Sequence, residues 1–358
     1  MHIAQVSPLY ESVPPRLYGG TERVVSYLTE ELINQGHRVT LFASADSVTK
    51  ADVVSHVGEA LRLNPAVKDP IAHHIVQLHD VIQRADEFDV IHFHTDYLHF
   101  PFSSGMRTPH VTTLHGRLDL PDLQYVYGRF SDQPVISISN SQRMPLPQAN
   151  WVGTVYHGLP TDLYSLGSGD GDYVAFIGRI SPEKRPDRAI KIARKAGVKL
   201  KIAAKVDKAD EAYFVEKIRP LIEEPFIEFI GEIGEDRKNE FLGRARALLF
   251  PIDWPEPFGM VMIEAMACGT PVIAYPHGSV PEIIADNVNG FIVDSRDAAV
   301  AALRKVSSID RSKVRAYFEE HYSARTMAKR YLQIFEKLQH ASGRTSNKRT
   351  RSGELAVA

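Results

Sequence analysis

The feature that most constrains the fold of this 358-residue chain is an alternation of strands and helices that runs twice. The first run opens with a short apolar strand at 2–6 and a loop rich in Pro and Gly. A segment with apolar residues at helical spacing follows, with Thr21 placed to act as its N-cap and Gly36 as its stop. A strand comes directly after it. This alternation predicts an α/β fold built on parallel sheets with helices on both faces.

A break between the two runs divides the chain into domains. Residues 161–172 lose apolar periodicity and are rich in Gly, Ser and Asp, so we expect a first domain over 1–160, a linker over 161–172 and a second domain over 173–325. An apolar stripe predicts a closing helix over 326–340, which could pack back on the first domain. The polar, mildly basic residues 341–358 are typical of a disordered tail. Both domains are predicted to be doubly wound and Rossmann-like, with parallel sheets facing a central cleft.

Composition excludes several classes of protein. Lys plus Arg, 42 residues, nearly balances Asp plus Glu, 44 residues, so no global basic field indicates a nucleic-acid partner. No apolar run approaches the ~20 residues of a spanning helix, and the N-terminus does not resemble a signal peptide. The single cysteine, Cys268, lies in an apolar run and is expected in the core, which fits a reducing compartment. We therefore expect a cytoplasmic protein with at most peripheral membrane contact.

Two glutamates stand out in the stretch WPEPFGMVMIEAMACGTPVIA, residues 254–274. Glu256 lies in a Pro-flanked loop, whereas Glu264 lies in an otherwise apolar run. A helix that starts near Gly259 would be apolar on every side except at Glu264, and such a helix is a buried one. A buried carboxylate costs several kcal/mol unless it has a partner. That partner is either a protein group or the hydroxyls of a ligand.

Polar residues at strand ends mark the predicted cleft. Gly19 and Gly20 precede the first helix, where they either make a turn or let backbone N–H groups approach an anion. The glycine fingerprint of dinucleotide sites is absent. His115 ends an apolar strand and is followed by Gly, so we expect it to face the cleft. In the second domain, Arg179 and Lys184 follow the first strand, and two cations near a helix end suit a diphosphate.

A metal site is not expected. His92, His94 and Asp96 have the spacing of residues on one face of a strand, but Asp96 falls after the strand and no further ligand follows at a recognisable interval. Asp170 and Asp172 lie in the predicted linker, where a metal site is equally unexpected.

These motifs resemble the large retaining glycosyltransferase family 4, which has the GT-B fold. Seven residues separate Glu256 from Glu264, as the E-x7-E motif of that family requires. The resemblance covers nearly the whole chain to about Leu338. Supporting segments are IGRISPEKRP at 177–186, the Gly-Gly loop, TLHG at His115, GSVPEII and NGFIV.

The resemblance implies roles for individual residues. Glu256 would bind hydroxyls of the donor sugar, and Glu264 would accept from the nucleotide ribose. Arg179 and Lys184 would neutralise the diphosphate, and His115 would lie against the sugar. Backbone and neighbouring groups expected to contact the donor are those of Gly19, Gly20, Gly178, Gly259, Met260 and Val261. Where many relatives have a Gly-rich turn, this chain has Ala203-Ala204-Lys205, which makes Lys205 a weaker third candidate cation.

The implied reaction is hexosyl transfer from a nucleoside-diphosphate sugar, with UDP-sugar the first expectation, to an acceptor hydroxyl with retention of configuration. The family is thought to use front-face departure, without a metal or other cofactor. The acceptor, a sugar, a glycolipid or a small molecule, is not legible from the residues. Two alternatives remain open: a nucleotide-sugar epimerase of the same double-domain shape, and a non-catalytic nucleotide-sugar-binding protein.

Overall fold

A computed structural model describes residues 1–16, 19–222 and 225–343. Within them, the sheet of the first domain contains β1 (His2–Val6), β2 (Arg38–Phe42), β3 (Asp52–Val54), β4 (Val90–Phe93), β5 (His110–Thr113), β6 (Pro134–Ser137) and β7 (Asn150–Thr154). The strands lie in the order β3-β2-β1-β4-β5-β6-β7, and all neighbours are parallel. The central strands β1 and β4 are apolar and buried because helices cover both faces of the sheet.

The helices of the first domain begin at the carboxyl edge of this sheet. They are α1 (Gly20–Asn34), α2 (Pro70–Gln83), α3 (Phe100–Ser103), α4 (Pro121–Arg129) and α5 (Asn140–Arg143), with 3₁₀ turns at Leu61–Leu63 and Ala85–Glu87. The prediction that Thr21 caps α1 was wrong. Gly19 is the N-cap, because its carbonyl oxygen already accepts the first helical hydrogen bond from the Arg23 N–H at 3.1 Å.

The second domain repeats the same architecture. Its strands are β8 (Tyr173–Arg179), β9 (Lys199–Lys205), β10 (Ile227–Gly231), β11 (Leu248–Phe250), β12 (Val272–Ala274) and β13 (Gly290–Ile292). They are parallel, in the order β10-β9-β8-β11-β12-β13. The fold is therefore two doubly wound α/β domains, as the alternation predicted.

The helices of the second domain surround its sheet. They are α6 (Pro186–Ala196), α7 (Glu211–Tyr213), α8 (Arg219–Ile222), α9 (Glu235–Arg244), α10 (Met260–Ala267), α11 (Val280–Ile283), α12 (Arg296–Lys305) and α13 (Arg311–His321), with a π-helical turn at Phe214–Ile218 and 3₁₀ turns at Lys208–Asp210 and Val306–Ser308. Helix α10 is apolar nearly all round and is buried in the core, together with the free Cys268 that follows it. Burial of Glu264 and Cys268 was predicted, and the structure confirms both.

A last helix, α14 (Ala324–Ala341), returns the chain to the first domain. Met327, Tyr331 and Phe335 are buried in the same apolar cluster as residues of β1 and α1. The chain therefore crosses between the domains twice. The two crossings lie side by side, since Leu159 donates to the Tyr322 carbonyl at 2.9 Å and accepts from the Ala324 N–H at 2.7 Å.

The segment 161–172 is held against the second domain rather than left free between the two. Arg311 donates to the carbonyl of Gly167 at 3.0 Å, to that of Gly243 at 2.8 Å and to the Thr270 hydroxyl at 2.7 Å. One guanidinium thus ties the segment to two different parts of the second domain.

Glu282 of α11 makes a second connection across the domains. Its carboxylate accepts from the backbone N–H of Asn140 at 2.7 Å, from that of Ser141 at 2.8 Å and from the Tyr156 hydroxyl at 2.9 Å. Asn140 and Ser141 are the first residues of α5, whose N-terminal N–H groups need an acceptor. A carboxylate of the second domain therefore satisfies a helix end of the first.

Among the described residues, no helix combines the length and the apolar character needed to cross a bilayer. Helix α14 ends at Ala341, and the predicted tail beyond 343 lies outside the residues that the structure describes.

Candidate functional site

Glu256 lies in the loop before α10, and a lysine holds one of its oxygens. The Oε2 atom accepts a hydrogen bond from the Lys184 ammonium and another from Trp254 Nε1, the latter at 3.1 Å. The Oε1 atom accepts no hydrogen bond from the described residues and is not sealed from solvent. One oxygen of this carboxylate is therefore available to a ligand. Lys184, which was expected at a diphosphate, is here the partner of Glu256.

Glu264 repeats this arrangement one turn along α10. Its side chain is 7% exposed, and Oε1 accepts from the Lys238 Nζ atom at 2.9 Å, while Oε2 accepts from no described residue. Burial alone would lower the pKa of Lys238, but the Glu264 and Glu235 carboxylates outweigh it and raise that pKa. Lys238 therefore stays charged at neutral pH. The buried carboxylate has a protein cation as partner and keeps one oxygen open.

The N-terminus of α10 lies between the two glutamates. Gly259 adopts a left-handed conformation with φ of +78°, and a side chain there would collide with Met262 at 2.8 Å. No side chain of the described residues caps this helix end, so the backbone N–H groups of Met260 and Val261 remain available to an anion. This is the geometry of a phosphate-binding helix terminus.

A glycine from a later segment braces the loop. Gly278 has φ of +60°, and a Cβ there would lie 2.3 Å from the backbone N of Glu256. Ser279 donates from its hydroxyl to the Phe258 carbonyl at 2.7 Å and from its N–H to the Glu256 carbonyl at 2.9 Å. The motif GSVPEII thus fixes the backbone that carries Glu256.

Arg179 ends β8, after Gly178, and carboxylates surround its guanidinium. Glu183 accepts from it at 3.1 Å, and Asp207 and Asp210 lie 3.8 and 4.0 Å away. The two cations expected at one diphosphate therefore have different partners in this structure. A phosphate that bound Arg179 would replace Glu183 as its hydrogen-bond acceptor.

His115 lies on the side of the cleft that the first domain forms. Its Nε2 atom lies 2.8 Å from His94 Nδ1, and His94 Nε2 donates to Gln5 Oε1 at 2.7 Å. His94 therefore accepts at Nδ1, His115 donates at Nε2, and His115 Nδ1 carries a lone pair without a hydrogen-bond partner among the described residues. Burial lowers the pKa of His115 to about 3 and that of His94 well below its usual value. Both rings are neutral at physiological pH.

A stack of rings joins His115 to the loop of Glu256. The ring of His157 lies 5.2 Å from that of His115, and the ring of Phe258 lies 4.8 Å from that of His157. His157 belongs to the first crossing between the domains, and Phe258 lies in the PEPFG loop. The structure therefore brings His115 and Glu256 to the same cleft from opposite domains.

Gly19 and Gly20 enter the cleft at the start of α1. A side chain at Gly19 would lie 2.8 Å from Pro15 Cβ and 3.0 Å from Glu11 Cγ, whereas Gly20 is exposed with open space beside it. Gly19 is required for close packing. Gly20 leaves room for a ligand. On the next residues of α1, Arg23 Nη1 lies 3.1 Å from Glu235 Oε2 of the second domain.

The remaining candidate cation and ligands have protein partners. Lys205 lies 2.9 Å from Asp207, and His92 Nε2 lies 2.7 Å from the Thr113 hydroxyl. In the part of the chain that the structure describes, no three His, Cys, Asp or Glu side chains are grouped as metal ligands.

Several functional candidates had no usable signal in the sequence. Lys238 lies in EDRKNE, a run of charges typical of a solvated helix face, and Trp254 and His157 are single residues in loops. Their roles depend on neighbours that are distant in the chain. A weak signal existed for His94, because alternate residues of a strand share a face and His92 and His94 differ in position by two.

Comparison with known proteins now assigns the class. Residues 18–152 match the family model described as Glycosyltransferase Family 4, and residues 165–323 match the one described as Glycosyl transferases group 1. The first match covers most of the first domain, and the second match covers most of the second domain. The chain belongs to glycosyltransferase family 4 and is a glycosyltransferase with the GT-B fold.

Two proteins named as glycosyltransferases resemble this chain in sequence, and one solved structure resembles it in fold. A D-inositol 3-phosphate glycosyltransferase of Mycolicibacterium smegmatis is 29% identical over 50% of this chain, and the match spans 43% of that protein's length. An uncharacterised glycosyltransferase of Methanocaldococcus jannaschii is 25% identical over 82% of this chain and 85% of its own. The crystal structure of Anabaena HepE in complex with UDP and glucose superposes with a TM-score of 0.72 at 19% identity, covering 93% of this chain and 99% of that one.

Proposed function

We propose that this glycosyltransferase moves a hexose from a UDP-sugar to an acceptor hydroxyl with retention of configuration and without a metal ion. The observation that carries the proposal is the pair of glutamates at α10, with Glu256 in the loop before the helix and Glu264 within it. In each, a lysine holds one carboxylate oxygen and the other oxygen is open. A carboxylate oxygen accepts strong hydrogen bonds from hydroxyl groups. A nucleotide sugar offers hydroxyls at both ends, on the sugar and on the ribose.

The donor is oriented by the order of these groups along the chain. Glu256 binds the sugar that moves, Glu264 binds the ribose, and the diphosphate lies between them at the N-terminus of α10. Lys184 is already next to Glu256, so it can share its ammonium between that carboxylate and a phosphate oxygen. Arg179 supplies a second cation when it leaves Glu183. Positive charge from these groups takes the place that a metal ion has in other nucleotide-sugar enzymes.

The reaction proceeds on one face of the sugar. A retaining glycosidase uses a carboxylate nucleophile, but Lys184 and Trp254 hold one oxygen of Glu256 and the sugar hydroxyls engage the other. We therefore assign no nucleophile. As the C1–O bond breaks, Lys184 and Arg179 stabilise the charge that develops on the diphosphate. The acceptor oxygen bonds to C1 on the same face, and a phosphate oxygen takes its proton.

The UDP-sugar assignment is supported by the fold shared with HepE, which was solved with UDP and glucose. For the acceptor we propose only a hydroxyl of a sugar, glycolipid or small molecule. The relative named for inositol 3-phosphate matches over less than half of its own length. A nucleotide-sugar donor and a buried single cysteine fit an enzyme that acts in the cytoplasm.

A donor panel tests the proposal. The protein is incubated with UDP-, GDP- and ADP-sugars, and release of the nucleoside diphosphate is followed together with the anomer of the freed sugar. We expect slow hydrolysis of a UDP-sugar with the α-anomer released first from an α-linked donor. Release of the inverted anomer would overturn the retaining mechanism, and turnover of a GDP- or ADP-sugar alone would overturn the choice of base.

A further inference from the structure

Four charged side chains form an ion-pair network that runs from the first domain to the carboxylate of Glu264. Arg23 Nη1 of α1 lies 3.1 Å from Glu235 Oε2. The same Glu235 oxygen lies 3.2 Å from Lys238 Nζ, which lies 2.9 Å from Glu264 Oε1. Positive and negative charges therefore alternate across the cleft, from α1 through α9 to α10.

The charges of this ion-pair network balance only when both domains contribute. Glu235, Glu264 and Lys238 of the second domain carry two negative charges and one positive charge. Arg23 of the first domain brings the formal sum to zero. The four side chains are between 7% and 25% exposed, so water screens these charges weakly.

Glu235 is fixed at the centre of the ion-pair network. Its second oxygen, Oε1, accepts from the Tyr164 hydroxyl, and Tyr27 of α1 lies beside Arg23. Burial raises the pKa of Tyr27 to about 12 and also raises that of Tyr164, so both hydroxyls are neutral at physiological pH. Tyr164 donates to Glu235, whereas Tyr27 accepts from the Arg23 guanidinium. With one oxygen held by Tyr164, Glu235 keeps the other directed at Arg23 and Lys238.

We propose that Arg23 and Lys238 are positioning residues of the donor site, through which the first domain sets how tightly the second domain binds a nucleoside diphosphate. The inference rests on the function proposed above. When Arg23 compensates Glu235, Lys238 is committed to Glu264, and Glu264 Oε2 is aimed at the ribose hydroxyls. Without Arg23, two carboxylates compete for one ammonium, and an anionic ligand meets a site with a surplus negative charge. Nucleotide affinity then falls.

The test measures equilibrium binding of UDP, GDP, ADP and 2′-deoxy-UDP to the full chain by calorimetry. The variants are Arg23→Met, Lys238→Met, the conservative Arg23→Lys and the double variant Arg23→Met/Glu235→Gln. The control is Arg38→Met, since Arg38 pairs with Asp52 on the exposed edge of the first domain, 3.3 Å away. Thermal unfolding is measured for every variant.

We expect Arg23→Met and Lys238→Met each to weaken UDP binding at least about 10-fold, and to reduce the preference for UDP over 2′-deoxy-UDP. Arg23→Lys should retain most of the affinity. The double variant should bind UDP more tightly than Arg23→Met alone, because Glu235→Gln removes the competing charge. A merely structural role for Arg23 would not give that recovery.

Three outcomes would contradict the proposal, and each has a different meaning. If the wild type binds UDP but Arg23→Met binds it equally well, the proposed role of the ion-pair network is wrong and the donor assignment stands. If the wild type binds none of the three nucleoside diphosphates, both the proposed donor and the proposed role of the network are wrong. No recovery in the correctly folded double variant would also overturn the charge-balance argument.

Discussion

The two open carboxylates give the sharpest prediction, because the same substitution should lower donor affinity at one and turnover at the other. Glu264→Gln keeps the shape of the side chain and an acceptor for Lys238. It removes the negative charge that faces the ribose in the proposed donor orientation. A hydrogen bond to a charged group contributes about 1.5–3 kcal/mol, which corresponds to a loss of about 10- to 150-fold in donor affinity. Since ribose contacts are the same before and during reaction, kcat should change little.

Glu256→Gln should instead act on turnover. Glu256 is next to Lys184. In the proposed donor orientation it faces the sugar that moves, so its contacts would change as positive charge develops on the sugar ring. Losing a contact of that kind lowers kcat together with kcat/KM. Loss of one preorganised electrostatic contact typically costs about 10²- to 10³-fold in kcat, and discrimination between donor sugars should weaken as well.

The assay combines initial rates over a range of UDP-sugar concentrations with calorimetric binding of UDP. The matched control is Glu240→Gln, the same substitution on α9 at a side chain that is 79% exposed; it should leave both constants unchanged. If Glu264→Gln lowered kcat at unchanged UDP affinity while Glu256→Gln weakened UDP binding, the two roles would be assigned the wrong way round.

Three further predictions use other parts of the molecule. Arg179→Ala should cost about 3 kcal/mol of transition-state stabilisation, and a near-normal kcat would contradict its role at the diphosphate. Gly259→Ala should destabilise the fold by about 1–3 kcal/mol, measured by urea unfolding, because alanine is strained at φ of +78° and would meet Met262. Burial holds the pKa of His115 at about 3, below the unfolded value of about 6.5. The unfolded chain therefore takes up this proton first as the pH falls, so the contribution of His115 to the free energy of unfolding should decline from about pH 6.5 toward pH 3. The free energy of unfolding at pH 7, 6, 5 and 4 is compared between the wild type and His115→Asn. Parallel plots of this free energy against pH would contradict the prediction.

Charged side chains connect the two domains in addition to the polypeptide. Within the described residues, the chain crosses between the domains near Leu159 and Tyr322. Glu282 and Arg23 each reach the opposite domain with a charged side chain.

Local sequence determined much of this protein. Strand–helix alternation specified two parallel α/β units, because each apolar strand needs helices on both faces. The apolar run around Glu264 determined that this carboxylate is buried, since no rotation of such a helix exposes it. The carboxyl-edge position of His115 also follows from neighbouring residues, because an apolar strand leads into it.

Only the tertiary structure decided which groups these residues meet. Lys238 reaches Glu264 because α9 packs beside α10, and Lys184 reaches Glu256 because two loops converge at one edge of the sheet. The partners are 26 and 72 residues apart in the chain. A charge on a helix surface looks the same in sequence whether it faces water or a buried carboxylate, because the difference depends on the packing of distant elements. The sequence therefore predicted that Glu264 needs a partner, and the packing of the second domain determined that Lys238 is that partner.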